Sequence, residues 1–177
     1  MNQQYSNIEN QLLVMDAQDG DAKAVEKLVT IWNKRLWRHA YRVTCDEQAS
    51  WDITQQGWMA ILKGLKKLHD PACFQAWAYR IITNKAFDRI KKNKSNKHIS
   101  IDQAPEIQSR PDSDLGIMEL LDQLDSKKKM ILTLYYFEQL TVAEIGIALK
   151  IPGGTVKSRL YAARNELKEL WRQYAAI

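Results

Sequence analysis

From Asp21 to Val43 the apolar side chains fall at Val25, Leu28, Val29, Trp32, Leu36, Ala40 and Val43. These steps of three and four make one helical face. A second face, Trp58, Ile61, Leu62, Leu65 and Leu68, predicts a helix from about Gln48 to Leu68. Asp70-Pro71 interrupts it, because the residue before a proline avoids helical backbone. A third helix restarts near Pro71 with Phe74, Trp77, Ala78, Ile81 and Ile82, and continues through Ala86 and Ile90 into a lysine run. Three amphipathic helices of this kind can share one core.

The period is lost between Asn93 and Asp114. That stretch holds Pro105, Pro111 and several serines, and its second half is acidic, with Asp102, Glu106, Asp112 and Asp114. It reads as a flexible linker. Helical spacing resumes with Ile117, Leu120, Leu121 and Leu124. Ser126 is the expected N-cap of the next helix, with Met130, Ile131, Leu134 and Phe137 inward. Thr141-Val-Ala-Glu144 is a capping-box pattern that opens a short helix to about Lys150. Ile151-Pro-Gly-Gly154 is the expected turn, and Thr155 starts a last helix with Val156, Leu160, Ala163, Leu167 and Leu170 on one face.

Composition supports an all-α chain of two small domains: there are only 7 Gly and 4 Pro in 177 residues. The net charge of +5 is compatible with a polyanionic partner but does not require one. Cys45 and Cys73 form no CxxC pair and give no disulfide framework. Met1 to Asn10 lacks an apolar signal core and no apolar run is long enough to span a bilayer, so a cytoplasmic protein is expected. Asp46, Glu47, Asp52 and Glu26 form no pair at a spacing that forces acid/base work, and no phosphate loop or nucleophile elbow is visible. The chain is therefore read as not an enzyme, with no cofactor. His39, Cys45, His69 and Cys73 are read as small buried cysteines and surface histidines rather than as a zinc site.

A short helix, a glycine-containing turn and a longer helix make a helix-turn-helix, whose second helix enters the DNA major groove. Opposite the apolar stripe of that helix stand Lys157, Ser158, Arg159, Tyr161 and Arg164. Such groups contact phosphates or base edges, and Thr155 with the free amides at the helix start can take a phosphate. By spacing alone, a helical hairpin with a solvated basic face fits as well.

The detailed residues decide between these. Leu140-Thr-Val-Ala-Glu-Ile followed by Ile151-Pro-Gly-Gly-Thr-Val-Lys-Ser-Arg-Leu160 resembles the DNA-binding domain 4 of extracytoplasmic-function (ECF) sigma factors, in the sigma-70 family of RNA polymerase specificity subunits. Upstream, Gly20-Asp21, Asp52-Ile-Thr-Gln55, Phe74-Gln-Ala-Trp77-Ala-Tyr-Arg80-Ile, Asn84 and Asp88-Arg89 resemble sigma domain 2 in the family's order. The resemblance implies a three- to four-helix domain 2 over residues 10–95, a linker over 96–114 and domain 4 over 115–177. It implies that domain 2 binds core RNA polymerase and captures the melted −10 element, and that domain 4 binds the duplex −35 element. Many family members also have an anti-sigma protein as partner. An autonomous helix-turn-helix regulator is the alternative, but it leaves the domain 2 motifs unexplained.

Several residues inherit roles from the resemblance. His69 and Asp70 lie in the loop that holds a flipped −10 base. Tyr79, Arg80, Asn84, Lys85, Asp88, Arg89, Lys91 and Lys92 follow on the third helix, where rings stack bases and cations pair with phosphates. Trp77 is read as core, and Tyr79 as partly exposed. Asp52, Gln55, Gln56 and Trp58 match the surface that docks on polymerase. Two departures stand out. The family pattern Asp-Leu-Val-Gln-Glu-x-Phe has lost its glutamate at Gln56, with Ala49, Ser50 and Trp51 where acids are usual, and Ala162 stands where arginine is frequent.

Overall fold

The computed structural model describes residues 2–96 and 115–174, all helices and short connections. The chain divides into two compact units, Met1–Asp102 and Gln103–Ile177. Residues 97–114, most of the expected linker, lie outside the described residues.

The first unit has four α-helices: α1 (Asn2–Asp19), α2 (Ala22–Thr44), α3 (Glu47–Gly64) and α4 (Phe74–Asn96). α2 lies at the centre and packs against the other three. Asp21 caps it by accepting the Lys23 and Ala24 amides, and Cys45 ends it in the left-handed conformation at φ 52°. Asp46 caps α3 in the same way, accepting the Ala49 amide at 2.9 Å. Short 3₁₀ turns, Leu65–Lys67 and Pro71–Cys73, carry the chain from α3 into α4.

Of the predicted stripes, Leu28, Trp32, Leu36, Ala40, Ile61, Leu65, Phe74, Ala78, Ile82 and Ala86 are buried. Leu62 is not; Ile53 and Gly57 face inward on α3 instead. Gly57 permits close approach of α3 and α4, because a Cβ there would stand 2.2 Å from the Ile82 δ-methyl. At the centre the Trp32 ring meets Phe74 edge-on at 5.6 Å and Tyr79 at 6.2 Å, which is the favoured geometry for aromatic pairs.

α1 was not expected. Its inward side chains Val14 and Ala17 are buried, and Asn10 accepts the Trp32 indole N–H at 2.8 Å. Those few apolar positions make too weak a period to announce a helix; packing against α2 supplies its stability.

The second unit holds α5 (Leu115–Asp122), α6 (Ser126–Leu132), a wide π-helical turn (Thr133–Phe137), α7 (Val142–Leu149) and α8 (Gly153–Tyr174). α5, α6 and α7 all pack on α8. The N-cap of α6 is Asp125, not Ser126: its carboxylate accepts the Lys127 and Lys128 amides at 2.9 and 3.1 Å. A carboxylate reaches two amides and favours the positive helix end, which a serine in the first turn does not. Lys128 also pairs with Asp125 at 3.1 Å and with Glu166 of α8 at 2.5 Å.

Desolvation pushes the Asp125 carboxyl up, but the Lys128 amide and ammonium and the Lys127 amide outweigh it and hold it below its ordinary value. A depressed carboxylate stabilises the fold above its ordinary pKa, and that contribution is lost as pH falls through the lowered one. Asp125→Ala is expected to cost the second unit about 1 kcal/mol at neutral pH. The difference from wild type should shrink on acidification, read as urea midpoints at neutral and acid pH.

Candidate nucleic-acid and polymerase interfaces

The helix-turn-helix is built from α7 and α8. Thr141 Oγ1 accepts the Glu144 amide at 3.2 Å, and Glu144 Oε2 accepts the Thr141 amide at 2.7 Å, completing the capping box read from sequence. Lys150 closes α7 in the left-handed conformation at φ 54°. The Ile151 amide donates to the Gly146 carbonyl at 3.1 Å. A Cβ on Gly146 would stand only 3.0 Å from the Ile151 carbonyl oxygen, so the tight turn favours glycine there.

α8 begins at Gly153, two residues before the expected Thr155. Pro152 accepts the Val156 amide at 3.0 Å, the first i-to-i+4 bond of the helix. Its carbonyl is free to do so, and first-turn amides need no helical acceptor, so the two glycines cost little there.

Val156, Leu160 and Ala163 of α8 are buried. Lys157, Ser158, Tyr161 and Arg164 are exposed, Tyr161 to 70%; Thr155 and Arg159 are half-buried. Ser158 Oγ donates to the Thr155 carbonyl at 3.1 Å, which leaves its lone pairs for a ligand. The Arg164 guanidinium lies over the rings of Tyr135 and Tyr136, at 4.9 and 5.5 Å. The wide turn that carries these rings, closed by the Glu138 amide on the Thr133 carbonyl, has no signature in the sequence. The stack holds Arg164 in place while leaving it exposed.

In the first unit the candidate −10 residues other than His69 and Asp70 share α4. Asn84, Asp88, Lys91 and Lys92 are exposed, while Arg80, Lys85 and Arg89 are half-buried. Among the described residues the buried Arg89 Nε has no hydrogen-bond partner. Tyr79 differs from expectation. It is 1% exposed and packs against Trp32 and against His39, whose ring lies 5.0 Å away. α4 crosses α2 and α3 at this level, so position 79 falls on the covered side of the helix. Its ring is core and not a surface for bases. Trp77 is half-buried beside Phe74.

His69 and Asp70 are exposed. Asp70 orders their loop by accepting the Ala72 amide at 2.9 Å. A residue that the sequence did not single out braces it from behind: the Gln18 amide donates to the Leu65 and Leu68 carbonyls at 2.9 and 2.7 Å. Gln18 lies on the unforeseen α1, so nothing local to the loop could have pointed to it.

On α3, Gln55 and Gln56 are exposed and Asp52 is half-buried. Trp58, grouped with them by motif, is only 7% exposed and donates its indole N–H to Asn33 at 3.0 Å. It belongs to the core and braces the surface from below, since it shares the buried face of α3 with Thr54 and Ile61, one helical turn to either side. His39 is fully buried rather than on the surface, its Nε2 bonded to Thr83 Oγ1 at 2.8 Å. Among the described residues no group of three His, Cys, Asp or Glu could hold a metal ion, and no helix is long and apolar enough to cross a membrane.

Comparison with known proteins matches both units. The family model for Sigma-70 region 2 covers residues 28–96, and that for Sigma-70 region 4 covers residues 120–169. The ECF RNA polymerase sigma factor SigW of Bacillus subtilis is 26% identical over 177 residues, spanning 90% of this chain and 95% of that protein. ECF RNA polymerase sigma factor SigL of Mycobacterium tuberculosis is 30% identical over 143 residues, spanning 75% of this chain and 80% of that protein. In fold, the chain is similar to CnrH in its complex with the cytosolic domain of CnrY, with a TM-score of 0.71 at 22% identity over 93% of this chain and 97% of that one. It is also similar to the sigma factor RpoE of Bartonella quintana in complex with the anti-sigma factor NepR, with a TM-score of 0.70 at 18% identity over 85% of this chain and 98% of that one. With an all-α fold, a capping-boxed helix-turn-helix and both sigma regions in order, the chain belongs to the ECF RNA polymerase sigma factors of the sigma-70 family.

Proposed function

We propose that this sigma factor divides its work by residue range. Residues 10–95 bind core RNA polymerase and the melted −10 strand, 96–114 form the linker, and 115–177 bind the duplex −35 element. The observation that carries this reading is α8. It buries Val156, Leu160 and Ala163 while leaving Lys157, Ser158, Tyr161 and Arg164 outward at the end of a capped helix-turn-helix. That disposition suits a major-groove recognition helix, with Thr155 and Arg159 at its edges. On α4, outward Asn84, Asp88, Lys91 and Lys92, with half-buried Arg80, Lys85 and Arg89, suit a single strand, and His69 with Asp70 suit a flipped base. Asp52, Gln55 and Gln56 form the polymerase-docking face, with Trp58 beneath it.

Sigma factors are non-enzymatic initiation factors, and the reading assigns this chain no catalysis, no cofactor and a place in the cytoplasm with the polymerase. The similarity to RpoE, solved with the anti-sigma factor NepR, supports an anti-sigma protein as a further partner.

Gln55→Ala is expected to weaken core binding while leaving −35 duplex binding intact, because Gln55 is exposed on α3 and far in sequence from α8. Titration of core polymerase and of a −35 duplex with the full chain checks both halves. Unaltered core affinity removes Gln55 from the docking face.

A further inference from the structure

Trp51 is the residue of α3 that the reading above leaves without a task. It is 49% exposed and stands one helical turn before Gln55, on the same face. Its ring is not isolated. Trp37 of α2 lies 5.3 Å from it, and Trp37 in turn stacks on Tyr41 at 5.5 Å with the planes 10° apart. Among the described residues the buried Trp37 indole N–H has no hydrogen-bond partner, so ring packing and not a polar bond sets its orientation. The pair beneath Trp51 thus holds an exposed indole in place, and a side chain already held loses less entropy when a partner covers it.

The charge pattern points the same way. On this face the carboxylates are exposed Glu47, one turn before Trp51, and half-buried Asp52. A face with so little negative charge steers weakly toward a basic surface, and attraction between exposed charges is screened by salt. Tryptophan, by contrast, is among the residues most often responsible for binding energy at protein interfaces, through desolvated contact.

We infer that Trp51 is an aromatic anchor for core RNA polymerase, covered on docking and supplying affinity that does not depend on charge. The inference rests on α3 being the polymerase-docking face. Core polymerase is the occupant because Trp51 is continuous with Asp52, Gln55 and Gln56 of the proposed docking face, where Glu47 and Asp52 alone supply negative charge from α3.

The test measures core polymerase affinity of the full chain across a range of salt concentrations, for wild type, Trp51→Ala, Trp51→Phe, Trp51→Glu and Gln55→Ala. Trp51→Ala is expected to weaken binding about tenfold or more at low and high salt alike, as loss of a buried interface aromatic does. Trp51→Phe should retain most of the affinity, and Trp51→Glu should bind more weakly with a steeper salt dependence. Because Trp51→Ala also disturbs the contact with Trp37, hydroxyl-radical footprinting of the wild-type chain supplies a second reading. Oxidation of Trp51 should fall when core polymerase is added. Trp51→Ala affinity within twofold of wild type, a loss confined to low salt, or an unprotected Trp51 overturns the inference. If Gln55→Ala still weakens binding in that case, the docking face stands without the anchor. A wild-type chain that does not bind core polymerase overturns the docking reading itself, and the anchor with it.

Discussion

Replacing Trp32 by alanine is expected to destabilise the first unit by about 3–5 kcal/mol, the usual cost of emptying a buried tryptophan site. Trp32 is 2% exposed and touches the rings of Phe74 and Tyr79. Its indole N–H bonds Asn10, so the substitution both opens a cavity and cuts the polar tie that holds α1 to α2. Against a domain stability of about 5–15 kcal/mol, that removes from about a fifth to all of the margin. Core binding and single-strand binding should then fall together, since both surfaces are laid on this core. Trp32→Phe keeps an aromatic in place and loses mainly the hydrogen bond, so it should cost much less. Urea unfolding followed by circular dichroism measures both variants. A loss below about 1 kcal/mol for Trp32→Ala would mean that the site collapses freely and that the aromatic cluster does not hold the unit together.

The second large effect belongs to α8. Arg159→Ala is expected to reduce −35 duplex binding by about 1–3 kcal/mol. Arg159 is half-buried on α8, which also carries exposed Lys157 and Ser158. Its guanidinium can reach a base edge or a phosphate from the edge of the recognition helix. If it reads a guanine edge, the loss concentrates at one base pair and specificity there relaxes. If it contacts phosphate, binding weakens evenly across sequences and the salt slope falls by about 1. Binding to the cognate duplex and to single-base variants at two salt concentrations separates the two. Full activity of Arg159→Ala on promoters that require a −35 element would contradict the assignment.

Much of the helical frame was legible because it rests on period and caps. The stripe Leu28, Trp32, Leu36 and Ala40 and the capping box Thr141–Glu144 are local patterns with a direct physical cause, and both stand in the fold. What escaped the sequence depends on contacts distant along the chain. α1 is stabilised against α2 rather than by its own period, and Gln18 reaches carbonyls nearly fifty residues away. Tyr79 has the chemistry of a surface aromatic, whereas Trp58, placed in the docking motif, also stood on the predicted apolar stripe, and the stripe decided its burial. Only the packing of α4 on α2 and α3 determines that Tyr79 is covered. The start of α8 was misplaced because Gly153 and Gly154 disfavour helix interiors, whereas in a first turn, where amides need no helical acceptor, they are tolerated. The cap of α6 shifted by one residue because Asp125 outcompetes its neighbour Ser126 for the same amides. In the candidate interfaces the cations of α4 and α8 were read from sequence. The rings under Arg164 were not, because the wide turn that carries them follows no sequence rule.

The central claim is that this chain is a sigma factor working through core polymerase. It is tested most directly by adding the purified full chain to core RNA polymerase and a library of promoter fragments, and measuring run-off transcription. Core alone serves as the control. The account predicts specific transcripts that appear only with the chain present and that Gln55→Ala and Arg159→Ala both diminish. Tight duplex binding by the chain alone, with no complex on core polymerase and no specific transcript, would contradict it.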